Sequence, residues 1–203
     1  YWTGRNINPM HKGGVTLGPL STDTASGSLV YTGMHEAFNV LFAVTTGSHR
    51  EWNGSTWTHI GTGAIAPTFV RFNQRLFWQT ASGYAYSTAA GGVRTSVTSP
   101  TFNSFAVWDN KLYGINASGV LSVSTTGDSG SWETLATLAS FIQSSAAMGA
   151  MVRLQVYDNA NHEPVLWALT TNGIFLYDAE NNQWVSIRWD VPKHNRHVTD
   201  YTY

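Results

Sequence analysis

Short apolar runs separated by glycine-containing turns recur four times along this chain. The four copies occupy 40–47, 76–83, 112–119 and 166–173. Each copy ends in glycine and is followed by a second apolar run. Three of the four then reach Trp-x-x-Ile or Trp-x-x-Leu, at Trp57, Trp132 and Trp184. Alternation over short runs, punctuated by Gly, Asn and Asp, predicts β-strands joined by hairpins rather than helices.

The spacing of the turn glycines predicts the fold. Gly47, Gly83, Gly119 and Gly173 lie 36, 36 and 54 residues apart. A period of roughly 35–50 residues built from short strands is the signature of a propeller blade. The chain is therefore expected to be an all-β protein, a β-propeller with four recognisable four-stranded blades.

A ring with open edges would expose unpaired strands, so a fifth blade is expected, completed by the two termini or by a partner. Segment 1–26 is interpreted as an irregular N-terminal arm and 27–203 as the propeller. The extra residues between the third and fourth blades form an insertion that could be a short helix or a lid. The blades are placed at about 27–62, 67–98, 103–136 and 151–190, and the insertion at 136–151.

The three repeated tryptophans occupy equivalent places at the start of outer strands, and we expect each to cover the gap between adjacent blades. This placement resembles that of kelch-like and tectonin-like propellers. The turn at 126–132 resembles the Asp-box of sialidase-type propellers, with one residue missing between Gly130 and Trp132. The resemblance to an Asp-box implies a folding element of the outer turn and no catalytic role.

Composition narrows the function classes. Only 11% of residues are charged, well below the ~25% that is usual for soluble domains. With 11 Lys and Arg against 12 Asp and Glu, no basic stripe is available for nucleic acid. The sequence has no apolar run long enough for a membrane span. Because there are no cysteines, disulfides and thiolate metal sites are excluded, and no cofactor or metal is expected.

The expected ligand face carries the turns between second and third strands. Hydroxyls, amides and aromatic rings near these turns suit a neutral glycan, and the predicted ligand-binding residues are His49, Tyr84, Trp108 and Asn172. Asn53 and Asn116 begin glycosylation sequons at or beside turns. The pair His194 and His197 is interpreted as solvated rather than metal-binding.

Three functions are compatible with this pattern. We favour a non-enzymatic structural or binding propeller of a virion, tail or surface filament, extracellular or virion-associated, that self-associates or joins other structural subunits and binds glycans. A soluble propeller lectin is the first alternative. A sialidase-like glycosidase is the second, although only Arg71 and Arg153 lie at matching inner-strand positions for its arginine cluster.

Overall fold

The architecture comes from a computed structural model that describes residues 31–45, 47–62, 69–138, 149–159, 161–190 and 197–200. These residues form 17 strands in four antiparallel sheets. The sheets are arranged as the four blades of a β-propeller, which confirms the predicted all-β fold with four-stranded blades. Among the described residues, no helix is long and apolar enough to cross a membrane.

Each blade runs from an inner first strand to an outer fourth strand. Blade 1 contains β1 (Tyr31–Ala37), β2 (Val40–Thr45), β3 (Ser48–Trp52) and β4 (Trp57–Thr62). Blade 2 contains β5 (Phe69–Phe72), β6 (Arg75–Thr80), β7 (Gly83–Ser87) and β8 (Arg94–Val97). Blade 3 contains β9 (Ser104–Trp108), β10 (Lys111–Ile115), β11 (Val120–Ser124) and β12 (Glu133–Thr137). Blade 4 contains β13 (Met151–Asp158), β14 (Pro164–Thr170), β15 (Ile174–Asp178) and β16 (Gln183–Asp190).

In blades 1, 2 and 3, the hairpins between first and second strands use two-residue turns with positive φ at both positions. Asn73 and Gln74 have φ of 46° and 60°, and Asp109 and Asn110 have φ of 47° and 54°. This backbone twist matches the twist of paired strands, and Asn and Asp tolerate it better than most residues. The local sequence therefore determines the register of the inner hairpins.

All four predicted glycines lie at the turn between the second and third strands of their blades. Gly47 and Gly119 have φ of +77°, a conformation that glycine adopts without strain. Gly83 serves a different purpose, because a Cβ there would lie 1.9 Å from the carbonyl oxygen of Val97. It permits the close approach of β7 and β8.

The core is divided among three hydrophobic clusters, one between each consecutive pair of blades. We call the face of a blade that packs on the next blade its forward face, and the opposite face its rear face. In blade 2, Phe77 and Tyr84 on the forward face pack against blade 3, whereas Leu76 and Trp78 on the rear face pack against blade 1. Within the part of the chain that is described, no hydrophobic cluster joins blade 4 to blade 1.

The C-terminal segment does not start a blade of its own. Strand β17 (His197–Asp200) pairs antiparallel with β16, so it extends the fourth sheet to five strands. Pairing at the outer edge covers backbone groups that would otherwise be exposed, so the described residues 197–200 extend blade 4, and the expectation of a fifth blade completed by the termini or a partner stays a prediction. The N-terminal arm 1–26 and most of the insertion 136–151 lie outside the described residues.

Candidate functional site

The inner strands of blades 2, 3 and 4 surround a cavity of about 160 Å³. Its lining is contributed by β5, β9 and β13 and is mostly apolar. The lining residues are Phe69, Val70, Phe105, Ala106, Val107, Arg153, Leu154, Gln155 and Val156. A concave, largely apolar site with a few polar groups is the usual form of a small-ligand site.

Both polar groups of the cavity come from β13, where side chains alternate between the two faces of the sheet. Arg153 is exposed and Gln155 is half-buried, while Leu154 between them is buried. Among the described residues, no carboxylate lies within ion-pair distance of Arg153. The guanidinium and the amide are therefore available to a ligand. Gln155 was missed at the sequence level, because nothing in the sequence of β13 indicates that this strand meets β5 and β9 at a cavity.

The structure does not bring Arg71 to this cavity. The Arg71 guanidinium lies 5.5 Å from the ring centroid of Phe38 in blade 1, and Arg71 is not among the lining residues. It also lies near His35, whose pKa is lowered mainly by burial and further by the charge of Arg71, against an opposing effect of Glu36. The two inner-strand arginines thus occupy different environments and do not form one cluster.

The four predicted ligand residues are not grouped. His49 and Tyr84 are both 0% exposed and lie in separate inter-blade clusters or contacts. Trp108 is half-buried and donates from Nε1 to the carbonyl oxygen of Pro164 at 2.8 Å. Asn172 is exposed in the turn between β14 and β15. Because His49 and Tyr84 are inaccessible, a shared ligand face built from these four residues is not formed.

His49 lies between blades 1 and 2. Its ring is 5.2 Å from the ring of Phe69 and 6.4 Å from that of Trp78. In the described part of the chain, neither ring nitrogen of His49 has a hydrogen-bond partner. Burial, together with a smaller effect of His59, lowers the pKa of His49 to about 4. His49 is therefore a neutral core residue at physiological pH.

Tyr84 occupies the corresponding place between blades 2 and 3, where its hydroxyl is fully engaged. It donates to the carbonyl oxygen of Gly127 at 2.9 Å and accepts from Trp132 Nε1 at 3.0 Å. Burial is the main cause that raises the pKa of Tyr84. Tyr84 is therefore a structural link between the blades.

The turn that resembles an Asp-box contacts the preceding blade. Asp128 accepts from Arg75 Nη1 at 2.7 Å, and Asn73 Nδ2 donates to the carbonyl oxygen of Thr125 at 3.0 Å. The Arg75 hydrogen bond is the main cause that holds the pKa of Asp128 below its usual value. The turn therefore connects blade 3 to blade 2, in keeping with a folding role.

An analogous contact connects blade 2 to blade 1. The nearly buried carboxylate of Glu51 accepts from the backbone nitrogen of Gly91 and from Arg94 Nη2, the latter at 3.1 Å. Sequence reasoning missed Glu51, since an isolated glutamate in an alternating strand resembles a solvated residue.

The three repeated tryptophans differ in their surroundings. Trp184 is buried in the cluster between blades 3 and 4. Trp132 is half-buried, 4.4 Å from the ring of Phe102, and bonds to blade 2 through Tyr84. Trp57 is also half-buried and packs 5.3 Å from Trp52 of its own blade. Placement between blades thus describes Trp132 and Trp184, whereas Trp57 forms a pair with its strand neighbour.

Both sequon asparagines stabilise turns. Asn53 Oδ1 accepts from the backbone nitrogens of Ser55 and Thr56 at 3.0 and 2.8 Å. Asn116 Oδ1 accepts from those of Ser118 and Val120, each at 3.0 Å. These local hydrogen bonds are sufficient to explain why asparagine occupies both turns, and the explanation does not require glycosylation. Among the described residues, no group of three or more His, Cys, Asp or Glu side chains could hold a metal ion.

Comparisons with known proteins support the fold and leave the family open. No family model and no curated protein matches the chain. It is similar to the extracellular domain of the putative hybrid two component system BT4673 from B. thetaiotaomicron, with 11% identity over 84% of this chain and 23% of that one, at a TM-score of 0.60. YCF48 from Cyanidioschyzon merolae is similar at 15% identity, over 78% of this chain and 56% of that one, with a TM-score of 0.50. The chain thus spans 23% of the first of these proteins and 56% of the second, and the likeness establishes a propeller fold.

Proposed function

We propose that this chain is a non-enzymatic binding propeller that acts on an outer surface, such as that of a virion or tail, and that its ligand is a saccharide. The observation that carries the proposal is the cavity between the inner strands. Its apolar wall offers a surface for the carbon face of a sugar ring, and Arg153 and Gln155 offer hydrogen bonds to hydroxyl or carboxylate groups. This combination is typical of small polar ligands.

The size and charge of the cavity restrict the ligand further. A volume of about 160 Å³ accommodates one sugar unit of a longer glycan rather than a whole oligosaccharide. Arg153 is the single charged residue of the lining. One cation contributes a small, screened attraction, so we expect affinity to depend weakly on salt. The similarity to an extracellular domain agrees with an outer-surface location but leaves the ligand unspecified.

The proposal is tested by a glycan array followed by titration calorimetry on the best neutral and acidic oligosaccharides. We expect Arg153→Ala and Gln155→Ala each to weaken binding by about tenfold, the loss of roughly one hydrogen bond to a charged or polar group. Lys111→Ala removes an exposed cation outside the cavity and should leave affinity unchanged. Binding that survives both cavity substitutions would place the ligand elsewhere, and turnover of a sialoside would favour the glycosidase instead.

A further inference from the structure

Strand pairing defines equivalent positions in the four blades. One residue pair near the turn between second and third strands occupies an equivalent position in all four blades and falls on the forward face of each. In chain order these pairs are Val44 with His49, Gln79 with Tyr84, Ile115 with Leu121, and Leu169 with Ile174. All six residues of the first three pairs are buried, because the next blade covers them.

On its second and third strands, the forward face of blade 4 has the same apolar character without the same cover, while its inner strand places Arg153 and Gln155 on this face opposite Leu169 and Trp167. Leu169 and Ile174 are only half-buried. Trp167 corresponds to Phe42, Phe77 and Tyr113, which are buried, yet it is also half-buried. Tyr157 on the inner strand is 48% exposed. The second and third strands of blade 4 are therefore built like those of an interior forward face, and the inner strand differs by carrying the two polar residues of the cavity.

The rear face of blade 1 shows the complementary situation. Met34 pairs with Ala43 on β1 and β2, just as Phe69 pairs with Trp78, Phe105 with Gly114 and Leu154 with Ala168. Phe69, Phe105 and Leu154 are 9%, 1% and 1% exposed, whereas Met34 is 42% exposed. Met34 and Tyr157 are two of the three large hydrophobic residues that are exposed in the described part of the chain.

The interior junctions show which residues should meet at such a face. In blades 1 and 2, the rings of Phe42 and His49 lie 5.6 and 5.2 Å from Phe69. In blades 2 and 3, the rings of Phe77 and Tyr84 lie 6.5 and 5.9 Å from Phe105. By equivalence, the forward face of blade 4 should bring Trp167 and Ile174 onto the position that Met34 occupies on blade 1.

We infer that a second copy of this chain covers both the forward face of blade 4 and the rear face of blade 1. The forward face of blade 4 in each copy packs on the rear face of blade 1 in the other copy. Every junction inside the chain already joins a forward face to a rear face, so the new contact continues an existing interface. Two copies related by a twofold axis satisfy both contacts at once and close the ring. The ring would have about eight blades, within the usual range for propellers.

The test uses the absence of cysteine from the chain. Met34→Cys and Ile174→Cys are prepared as separate proteins, mixed, and treated with a short bismaleimide. We expect a covalent dimer from the mixture and little from either protein alone, since in each single variant the thiol faces a residue that has no thiol. An equal yield from Met34→Cys alone would show a symmetric face-to-face contact and overturn the head-to-tail arrangement.

Sedimentation equilibrium of the unmodified chain provides the second measurement. We expect a species of twice the chain mass, and Met34→Asp or Tyr157→Asp should raise its dissociation constant at least about tenfold, since a charge would be buried at the junction. Val93→Asp alters the third exposed hydrophobic residue, which is 90% exposed on blade 2, and should have no effect. A monomer at all concentrations would overturn the inference. This conclusion would hold whether cysteines placed at positions 34 and 157 react with thiol reagents or are protected by other parts of the same chain.

Discussion

The junction between blades 1 and 2 and the junction between blades 2 and 3 place different residues at the same position. His49 and Tyr84 are each the second residue of a third strand, and both are completely buried. Tyr84 makes two hydrogen bonds across its junction. His49 makes none with the described residues. One position of the repeat is therefore filled once by a satisfied polar group and once by an unsatisfied one.

The difference shows how the repeat tolerates variation. What the fold requires at this position is a flat or bulky side chain that fills the gap between blades. Where a polar atom at this position has a hydrogen-bond partner, neighbouring residues supply it. A buried polar atom without a partner lowers the stability of the fold but does not change its architecture. The junction between blades 2 and 3 should thus be robust, while the junction between blades 1 and 2 should respond to pH.

The largest expected effect concerns the better satisfied junction. Trp132→Ala should lower the free energy of unfolding by ~3 kcal/mol, near the low end for aromatic truncations because the ring is half-buried. Chemical denaturation monitored by circular dichroism measures the change. Val93→Ala, at an exposed site, serves as the matched control and should lie within ~0.5 kcal/mol of the wild type. If the Trp132→Ala and Val93→Ala variants were equally stable, the claim that Trp132 stabilises the junction between blades 2 and 3 would be wrong.

The second prediction concerns His49 and acid. Its pKa is about 4 in the folded protein and about 6.5 when unfolded, so the unfolded state binds the proton first as pH falls. Stability should be constant above about pH 6.5 and should drop by about 3 kcal/mol between pH 6.5 and 4.

His49→Leu should abolish most of that pH dependence, and denaturant midpoints across this pH range would measure it. His35, whose pKa is also lowered, should leave a smaller residual slope. An unchanged slope in His49→Leu would assign the acid sensitivity to other groups.

A third, smaller effect is expected for the hydroxyl of Tyr84. Tyr84→Phe keeps the ring but leaves the carbonyl of Gly127 and the indole nitrogen of Trp132 without this partner. We expect a loss of about 1–2 kcal/mol. His49→Phe at the equivalent site removes no hydrogen bond with the described residues and should be neutral or stabilising, and comparison of the two thermal melts tests the contrast directly.

The smallest effect is expected for the ion pair between Arg75 and Asp128 at the junction between blades 2 and 3. Asp128→Asn should cost less than about 1 kcal/mol, because both partners are solvent-accessible and exposed pairs contribute little. The pKa of Asp128 is lowered in the fold, so its contribution is present above its unfolded pKa and is lost as pH falls below it. A large effect in 0.5 M salt would indicate that the turn itself depends on Asp128.

The fold was more predictable from sequence than the candidate site. Turn glycines and alternating runs are local signals, and they located the strands and the four blades. Burial depends on which face of a strand meets the next blade, so His49 and Tyr84 looked like ligand residues but lie in the core. The cavity arises where three inner strands meet. The sequence around Gln155 contains no local signal that predicts this contact between strands.

The most direct test of the account is a double-mutant cycle across the junction between blades 2 and 3. Tyr84→Phe, Trp132→Phe and the double variant are compared with the wild type by denaturant unfolding. Because Trp132 Nε1 donates to the Tyr84 hydroxyl at 3.0 Å, we expect a coupling free energy of about 1 kcal/mol. Additivity within about 0.3 kcal/mol would contradict the claim that these two residues join the blades.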